Sequence, residues 1–444
     1  MPRIILHIDM NSYFASVEQQ ANPFLRGKAI GVTGKRKPAR TTDGNRSGGE
    51  RSVVAAASRE AKRLGVKTAM STWEAKRILP SIILVAGDPE KYGDITRRFN
   101  AIFRDYTPLV EQFSVDESFL DVTDVAQDYL GATAIALAIR ERLRVECGDF
   151  ITASIGVAPN KLLAKLASET IKPSGLTVVR PHEAIGLLDR CALQDLCGIG
   201  PRIADRLGDL GIHSFAQLRQ FPLDKLAAEF SGGAGSGSAG KSLALWLHNA
   251  AHGIGDDMVS PDAEDPKSVG HSYTLPADTS DPTVVQRHLL ALCDKVAWRL
   301  RRDGFSARCV TAYVRFGDFS GAGKQHRFQE PISDGLSLFK SAWKLLPVIA
   351  SSSERSNLTT GLLRLRPRND MLSRPVRLVG ISASELVVGS RSSSLFRKDR
   401  NVVSTLHALD KLQTRYGERA WTRASLLSTN VLERTSGFRY DHEL

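Results

Sequence analysis

The sequence predicts a multidomain protein of mixed α/β and α+β class. Three observations lead to this prediction: the length of the chain, an early alternation of apolar runs with helical patterns, and a change of character beyond residue 256. A chain of 444 residues exceeds what one hydrophobic core supports, and about 100–200 residues per domain gives two to four domains. Its 42% hydrophobic and 24% charged residues are ordinary for a globular protein.

The first part of the chain, up to about residue 178, has an α/β pattern. Short apolar runs (IILHID, SIILVA, VEQFSVD, FLDVT and ITASIGVA) predict strands, and longer stretches with helical spacing alternate with them. We expect helices over Asp124–Glu146 and Asn160–Thr170. The basic, Gly/Ser-rich segment Gly34–Arg51 is expected to be a mobile solvated loop, although Lys35, Arg36, Lys37 and Arg40 within it could instead contact phosphates.

Shorter helical patterns broken by glycines follow from about residue 180 to residue 255. Within them, Ser231–Gly240 (SGGAGSGSAG) is predicted to be an enlarged surface loop, because a helical pattern resumes directly after it. The acidic segment Asp256–Pro266 contains prolines and is predicted to be a tether between domains. Beyond it, strands and helices form a separate α+β unit to about residue 390, and the polar tail carries one helix, VVSTLHALDKLQTRYG.

The charge of the chain indicates a polyanionic partner. The net charge is +12 and the calculated pI is about 9.5, which favours nucleic acid first and an anionic membrane surface second. We expect no membrane-spanning segment, because no run of 18 apolar residues exists. Five cysteines without CxxC spacing favour a reducing cytoplasm and exclude a disulfide framework and a zinc site.

Three acidic residues stand out because they adjoin apolar strands. Asp9 ends the first strand, and Asp116 and Glu117 are adjacent in VEQFSVDESFLDVT. Side chains alternate along a regular strand, so a bulge or turn is needed for Asp116 and Glu117 to reach one site. Such acids would suit Mg²⁺, and three of them could hold two ions about 3.5–4 Å apart. The alternative is that they cap helices or face solvent at strand ends.

The order of motifs along the chain resembles that of the Y-family, or translesion, DNA polymerases, nearest the bacterial DNA polymerase IV branch. IDMNSYFASVE and SVDESFLDVT resemble its two carboxylate motifs, and four further segments follow in the family's order between residues 3 and 390: VVAAASREAKRLGVKTAM, ITASIGVAPNKLLAKLASETIKPSGL, LCGIGPRIADRLGDLGI and VRLVGISASEL. The resemblance implies a right-hand polymerase with an added little finger. Its expected domains are palm (1–11 and 88–178), fingers (12–87), thumb (179–255), linker (256–267), little finger (268–390) and C-terminal tail (391–444).

The resemblance also implies roles for residues of the active site. It makes Asp9, Asp116 and Glu117 the catalytic ligands of two Mg²⁺ ions, with the carbonyl of Met10 as a further ligand. Phe14 takes the position of the steric gate, whose ring would collide with a ribose 2′-hydroxyl; a core aromatic is the alternative. The triphosphate-binding residues implied are Tyr13, Arg59, Lys62 and Lys172.

The fingers helix departs from the family pattern. The family commonly reads T-x-x-Y-E-A-R there, whereas this chain has Ala56, Arg59 and Lys62. Positions 59 and 62 share a helix face, so both cations could still reach one triphosphate. Lysine lacks the bidentate fork of arginine, which puts nucleotide affinity and efficiency in doubt.

Several further residues are predicted to bind DNA or a partner protein. Gly198 and Gly200 in LCGIGPRIADRLGDLGI fit a helix–hairpin–helix whose backbone N–H groups face a phosphate, although a plain Gly-rich turn would look similar. Ser268 and Gly270 open the little-finger motif, and arginines of that domain suit a DNA backbone. Leu395 and Phe396 in RSSSLFRKD resemble a sliding-clamp peptide that lacks its usual glutamine; packing against the chain itself is the alternative.

We therefore expect a monomeric, cytoplasmic, Mg²⁺-dependent DNA polymerase that acts on primer–template DNA and dNTPs. Two other classes remain open at this point. A catalytically impaired homologue could serve as a DNA-bound scaffold, and the fingers substitutions allow this. A two-metal nuclease would share the carboxylates and the helix–hairpin–helix, but it would not explain a ring at Phe14.

Overall fold

The computed structural model describes residues 2–34, 51–231, 237–262, 265–352, 374–389, 397–417, 420–427 and 429. Most of the predicted loop Gly34–Arg51 lies outside the described residues, as do the predicted clamp residues Leu395 and Phe396. The described residues form two compact units, the first over 2–34 and 52–262 and the second over Arg51 and the described residues from 265 onward. Among the described residues, we find no helix with the length and apolar character needed to cross a bilayer.

The first unit contains two sheets and a series of helices. Its strands are β1 (Ile5–Met10), β2 (Ile30–Thr33), β3 (Ala56–Ala57), β4 (Ile83–Ala86), β5 (Val110–Gln112), β6 (Glu117–Asp121), β7 (Ala153–Ala158) and β8 (Leu176–Val178). Its helices are α1 (Tyr13–Ala21), α2 (Arg59–Arg63), α3 (Thr72–Ile78), α4 (Pro89–Arg104), α5 (Thr123–Ala126), α6 (Tyr129–Arg142), α7 (Lys161–Thr170), α8 (Ala184–Leu188), α9 (Pro201–Asp209), α10 (Phe215–Gln220), α11 (Leu223–Ser231) and α12 (Gly237–Ala251).

The larger sheet has the strand order β5-β6-β1-β7-β8. Its central strand, β1, is antiparallel to both neighbours and buried along its whole length. This explains why β1 reads as a continuous apolar run interrupted only by His7 and Asp9. Helices α1, α4 and α6 contribute to one core with the sheet, and α7 packs with β7 and the helices that follow into a second core.

Three sequence expectations for this unit need correction. The helix predicted over Asp124–Glu146 is broken at Gln127, whose φ of +62° separates α5 from α6, and a π-helical turn then covers Leu143–Cys147. The predicted helix Asn160–Thr170 begins one residue later, because the Asn160 side chain caps it by accepting from the Leu163 N–H at 2.9 Å. The predicted surface loop ends early, since α12 already begins at Gly237.

A small three-stranded sheet with order β3-β2-β4 and the short helices α2 and α3 form the region predicted as fingers. Its compact core is built from small and branched side chains such as Val54, Ala57, Ala61 and Val66. Both helices are capped in the expected way, because Ser58 and Ser71 accept backbone N–H groups of Ala61 and Glu74. Short capped helices on a small core fix the direction in which the α2 side chains point.

The second unit is a four-stranded antiparallel sheet with helices, as predicted for an α+β domain. Its elements are β9 (Ser268–Thr279), α13 (Pro282–Arg302), β10 (Phe305–Phe316), β11 (Gly321–Ile332), α14 (Gly335–Ser352), β12 (Val376–Val388) and α15 (Arg397–Tyr416). The strand order is β11-β10-β12-β9, and α13 and α14 share its core. The C-terminal helix α15 contacts α13 of this unit, where Arg301 donates two hydrogen bonds of 2.7 Å to Asp410.

Candidate active site

The pairing of β1 with β6 brings two of the predicted acids together. The two strands run antiparallel, and Asp9 lies directly opposite Glu117. Asp116 occupies the turn between β5 and β6, where its carbonyl accepts the Met10 N–H at 2.9 Å. The expected turn is therefore present beside the paired Asp9 and Glu117, although Asp116 is not among the acids whose ligand oxygens cluster there.

Each of these carboxylates already has a donor within the protein. The Lys172 ammonium donates to Asp9 Oδ2 at 2.9 Å and to Glu169 Oε1 at 2.6 Å. The Lys165 ammonium donates to Glu117, and the Ser114 hydroxyl donates to Asp116 Oδ1 at 2.6 Å. These hydrogen bonds fix the orientations of the acids. A divalent cation could replace the ammonium groups of Lys165 and Lys172 as their partner.

Burial makes the charged form of these acids costly. Asp9 is only 9% exposed, and desolvation raises its pKa to about 7, although the nearby Lys172 ammonium acts in the opposite direction. Burial also raises the pKa of Asp116, and the adjacent Glu117 charge adds to this effect. A hard divalent cation with oxygen ligands would relieve both effects, so the donor set fits Mg²⁺.

The structure adds a fourth acid that the sequence reasoning missed. Among the described residues, Asp9, Glu117 and Glu169 place their ligand oxygens within 4.8 Å of one another. Glu169 lies in the last turn of α7 and reaches the sheet because that helix packs on β1 and β7. No local sequence pattern indicates this role, since it depends on how α7 packs against the sheet.

The acids border a cavity of about 440 Å³. Asp9 and Asp116 line it, together with four basic side chains: Arg59, Lys62, Arg63 and Lys172. Desolvation lowers the pKa of Lys62, with repulsion by Lys172 as the next cause. Arg59 donates to the Thr152 hydroxyl, which ties its guanidinium toward the sheet. As expected from their spacing, Arg59 and Lys62 face the same cavity.

Two aromatic residues of α1 also border the cavity, in different ways. The Phe14 ring lines it and stacks on Tyr92 with a centroid distance of 4.5 Å and an interplanar angle of 17°. The Tyr13 ring is buried, and its hydroxyl donates to the Tyr92 carbonyl at 2.7 Å. The hydroxyl of Tyr13 is therefore engaged inside the protein, so any ligand contact of this residue would come from its backbone at the start of α1.

The predicted DNA-binding glycines have distinct local geometries. Gly198 has φ of +106°, and a Cβ there would lie 2.5 Å from the Trp246 ring, so only glycine fits. Gly200 caps the start of α9, and a Cβ there would meet nothing within 4 Å. Ser268 and Gly270 open strand β9 and pair with Ser384 and Ser382 of β12.

Comparison with known proteins agrees with this architecture. The family model described as impB/mucB/samB matches residues 8–169, and the model of its C-terminal domain matches residues 266–395. A protein named DNA polymerase IV from Moorella thermoacetica is 34% identical over 432 residues, which is 96% of this chain and 97% of the relative. One with the same name from Bacteroides fragilis is 38% identical over 319 residues, or 72% of this chain and 80% of the relative.

Solved structures show the same likeness. A Y-family DNA polymerase chimera matches with a TM-score of 0.69 at 26% identity, covering 87% of this chain and 99% of the chimera. An insertion ternary complex of the Dbh DNA polymerase matches with a TM-score of 0.54 at 26% identity, with the same shares covered. Two matched family models and a relative aligned along nearly its whole length show that this chain belongs to the impB/mucB/samB family, the Y-family DNA polymerases.

Proposed function

We propose that this protein is a template-directed DNA polymerase of the translesion type, which adds dNTPs to a primer 3′ end opposite damaged or distorted template. The observation that carries the proposal is the lining of the cavity, where the carboxylates Asp9 and Asp116 occur together with four basic side chains. Relatives named DNA polymerase IV, and a neighbour described as an insertion ternary complex, support DNA and nucleotides as the substrates.

Asp9, Asp116 and Glu117 are proposed to hold two Mg²⁺ ions, with the Met10 carbonyl as a further ligand. When bound, such ions would lower the pKa of the primer 3′-hydroxyl and offset charge on the triphosphate. The protein contributes position: the pairing of Asp9 with Glu117 and the turn at Asp116 fix the acids before substrate arrives.

Lys62, Lys172 and Arg59 are proposed to bind the triphosphate. All three line the cavity, and burial has already removed part of the hydration of Lys62 and Arg59. Partly dehydrated cations lose less on meeting a phosphate, and their charge is screened less by solvent. Tyr13 is proposed to contribute its backbone N–H from the first turn of α1, because its hydroxyl is already bonded.

Phe14 is proposed to act as the steric gate against ribonucleotides. Phe14 lines the cavity, and its ring stacks on Tyr92. Moving the ring out of the cavity would therefore break this stacking contact. Excluding the larger sugar through a clash is a form of specificity by repulsion. In contrast, Ala55 and Ala56 present little bulk to the cavity, which supports tolerance of distorted base pairs and low fidelity.

The remaining regions are proposed to grip DNA. Gly198 and Gly200 would present backbone N–H groups to a phosphate of the duplex, and the strand that begins at Ser268 and Gly270 would follow its backbone. The domain boundaries given above for palm, fingers, thumb, linker, little finger and tail remain our proposal. So do the monomeric state and clamp binding through Leu395 and Phe396. No observation favours the scaffold or the nuclease.

Primer extension tests the proposal. We expect a labelled primer annealed to a longer template to be extended in Mg²⁺, with the complementary dNTP on an intact template and with a mixture of the four dNTPs on an abasic one. Asp116→Asn should lower the rate of primer extension by about 10²–10³-fold, because it removes the negative charge proposed to bind Mg²⁺. Its affinity for duplex DNA should stay within about twofold of the wild-type value. Asp124→Asn, on the exposed surface of α5, is the matched control. Shortening of the primer, or full activity of Asp116→Asn, would reject the proposal.

A further inference from the structure

An exposed tryptophan lies on the surface of the fingers. Trp73, in the first turn of α3, is 63% exposed, whereas Trp298 of the second unit is 7% exposed. The Arg77 guanidinium, one helical turn later, lies 5.0 Å from the centroid of the indole ring. A large flat ring left in solvent and polarised by a cation is poorly explained by packing, because the core of the fingers is built without it.

Basic residues predominate in the sequence on either side of Trp73, and three of them, Arg59, Lys62 and Arg63, line the active-site cavity. The segment from Arg59 to Leu79, which contains α2 and α3, carries two acidic residues, Glu60 and Glu74, against six basic ones. The basic residues are Arg59, Lys62, Arg63, Lys67, Lys76 and Arg77. Lys67, Lys76 and Arg77 are exposed. An aromatic platform set among cations is the arrangement that binds single-stranded nucleic acid.

Backbone pairing connects Trp73 to the rim of the active-site cavity. Val53 forms an antiparallel bridge with Ser71, two residues before Trp73. Ala55, two residues beyond Val53 in the other direction, lines the cavity. Consecutive Cα atoms are about 3.8 Å apart, and paired Cα atoms across the bridge are at most about 5.5 Å apart. Two residues on each side of the bridge therefore place the Cα atom of Trp73 at most about 20 Å from that of Ala55.

We propose that Trp73 is a stacking platform for an unpaired base of the template strand that has not yet entered the cavity. This rests on the proposed polymerase function, because it assumes that the templating base lies beside Ala55. The base would stack on the indole ring of Trp73, which Arg77 polarises. Lys67 and Lys76 would contact the neighbouring phosphates. Stacking on a ring is tolerant of sequence and of chemical damage, since every base presents a flat face.

The charge of the surface favours nucleic acid over a protein partner. Val53, Leu64 and Ile78 are also exposed on the fingers, so the region has some apolar character. However, the segment that carries Trp73 exposes the basic Lys67, Lys76 and Arg77, whereas the acidic Glu74 is partly buried, and this charge suits a polyanion. A protein partner is therefore the competing outcome of the test, and it would leave the tryptophan indifferent to DNA.

Fluorescence of Trp73 tests the proposal directly. The difference between the emission of the wild-type protein and that of Trp73→Phe isolates this residue from the other four tryptophans. We expect primer–template DNA to quench the difference emission more strongly as the 5′ template overhang lengthens, up to about six nucleotides at 3.4 Å per nucleotide. Equal emission with blunt and overhanging DNA, both shown to be bound, would overturn the proposal.

Affinity provides the second readout. We expect Trp73→Leu to reduce the preference for overhanging over blunt DNA by about fivefold or more, Trp73→Phe to reduce it less, and Leu64→Ala, which removes another exposed side chain of the fingers, to leave it unchanged. An unchanged preference in Trp73→Leu overturns the platform. The polymerase proposal fails separately, if wild-type protein does not extend a primer with a one-nucleotide overhang.

Discussion

Replacement of Lys172 by methionine separates binding of the nucleotide from binding of DNA. In the structure, the Lys172 ammonium lies 2.9 Å from Asp9 Oδ2 and 2.6 Å from Glu169 Oε1, on the wall of the cavity. We propose that the same ammonium contacts the triphosphate when a nucleotide is bound. The variant would keep the length and apolar stem of the side chain and remove only the charge and its donors.

The size of the effect on catalysis follows from the lost contact. A hydrogen bond to a charged group contributes about 1.5–3 kcal/mol, so kcat/KM for the dNTP should fall about 10- to 150-fold. Duplex affinity should stay within about twofold, because the ammonium faces the nucleotide cavity. The measurement is single-nucleotide incorporation at saturating primer–template DNA over a range of dNTP concentrations.

The variant should also lose stability in the absence of Mg²⁺. Removing the ammonium leaves Asp9 and Glu169 facing each other, and partial exposure of Lys172 limits the cost to about 1–2 kcal/mol. At about 2–4 °C per kcal/mol for a unit of this size, Tm should fall by about 2–8 °C. The raised pKa of Asp9, about 7, means that its ionisation costs stability as pH rises from about 4 through 7. The loss of Tm in Lys172→Met should therefore be largest at pH 8, where Asp9 is ionised, and small at pH 5.5.

Lys161→Met is the matched control for this variant. Lys161 is the first residue of α7, the helix that ends two residues before Lys172, and it pairs with Glu111 and Asp256 rather than with the cavity acids. It should lose some stability but keep its KM for the dNTP. If Lys172→Met incorporates nucleotides within twofold of the wild-type kcat/KM, the assignment of Lys172 to the triphosphate is wrong.

Three further changes address the gate, the fingers and the thumb. Phe14→Ala should lower discrimination against ribonucleotides by about 10-fold or more, since it removes the ring beside the sugar; unchanged sugar discrimination in competition assays would reject the gate. Lys62→Arg should lower KM for the dNTP severalfold, because a guanidinium can bind a phosphate through two N–H groups. A raised KM would show that Lys62 does not face the triphosphate. Gly198→Ala should destabilise the protein by about 1–3 kcal/mol and weaken DNA binding, because its Cβ meets Trp246 at a φ of +106°. Gly211→Ala has φ of +75° and an open surrounding, so a thermal melt and a DNA titration on both variants separate crowding from backbone strain.

The sequence was most informative where local patterns decide the structure. The strand around Asp9, the turn at Asp116 and the shared face of Arg59 and Lys62 follow from alternation, turn chemistry and helical spacing. The second unit was predicted as α+β for the same reason, because β10 and α13 have clear apolar periodicity. Strand β11 was not predicted, since GAGKQHRFQEPI is largely exposed at the edge of its sheet and lacks apolar alternation.

The residues that sequence reasoning missed depend on packing between distant segments. Glu169 reaches Asp9 and Glu117 only because α7 lies across the central strands. Tyr92 supports Phe14, and its carbonyl engages the Tyr13 hydroxyl, because α4 packs against α1. The tie between Arg59 and Thr152 joins the fingers to the sheet across 93 positions of sequence. None of these contacts has a local signal, since each depends on how separate elements dock.

We have proposed that Asp9, together with the adjacent pair Asp116 and Glu117 from a distant segment, holds the divalent ions of a polymerase. Anomalous scattering from Mn²⁺, measured in crystals of the protein with primer–template DNA and a non-hydrolysable dNTP, tests it most directly. We expect two manganese peaks bound by carboxylate oxygens of Asp9, Asp116 and Glu117. The nucleotide phosphates should lie beside Lys62 and Lys172. Manganese found only away from Asp9 and Asp116, with the nucleotide in place, would contradict it.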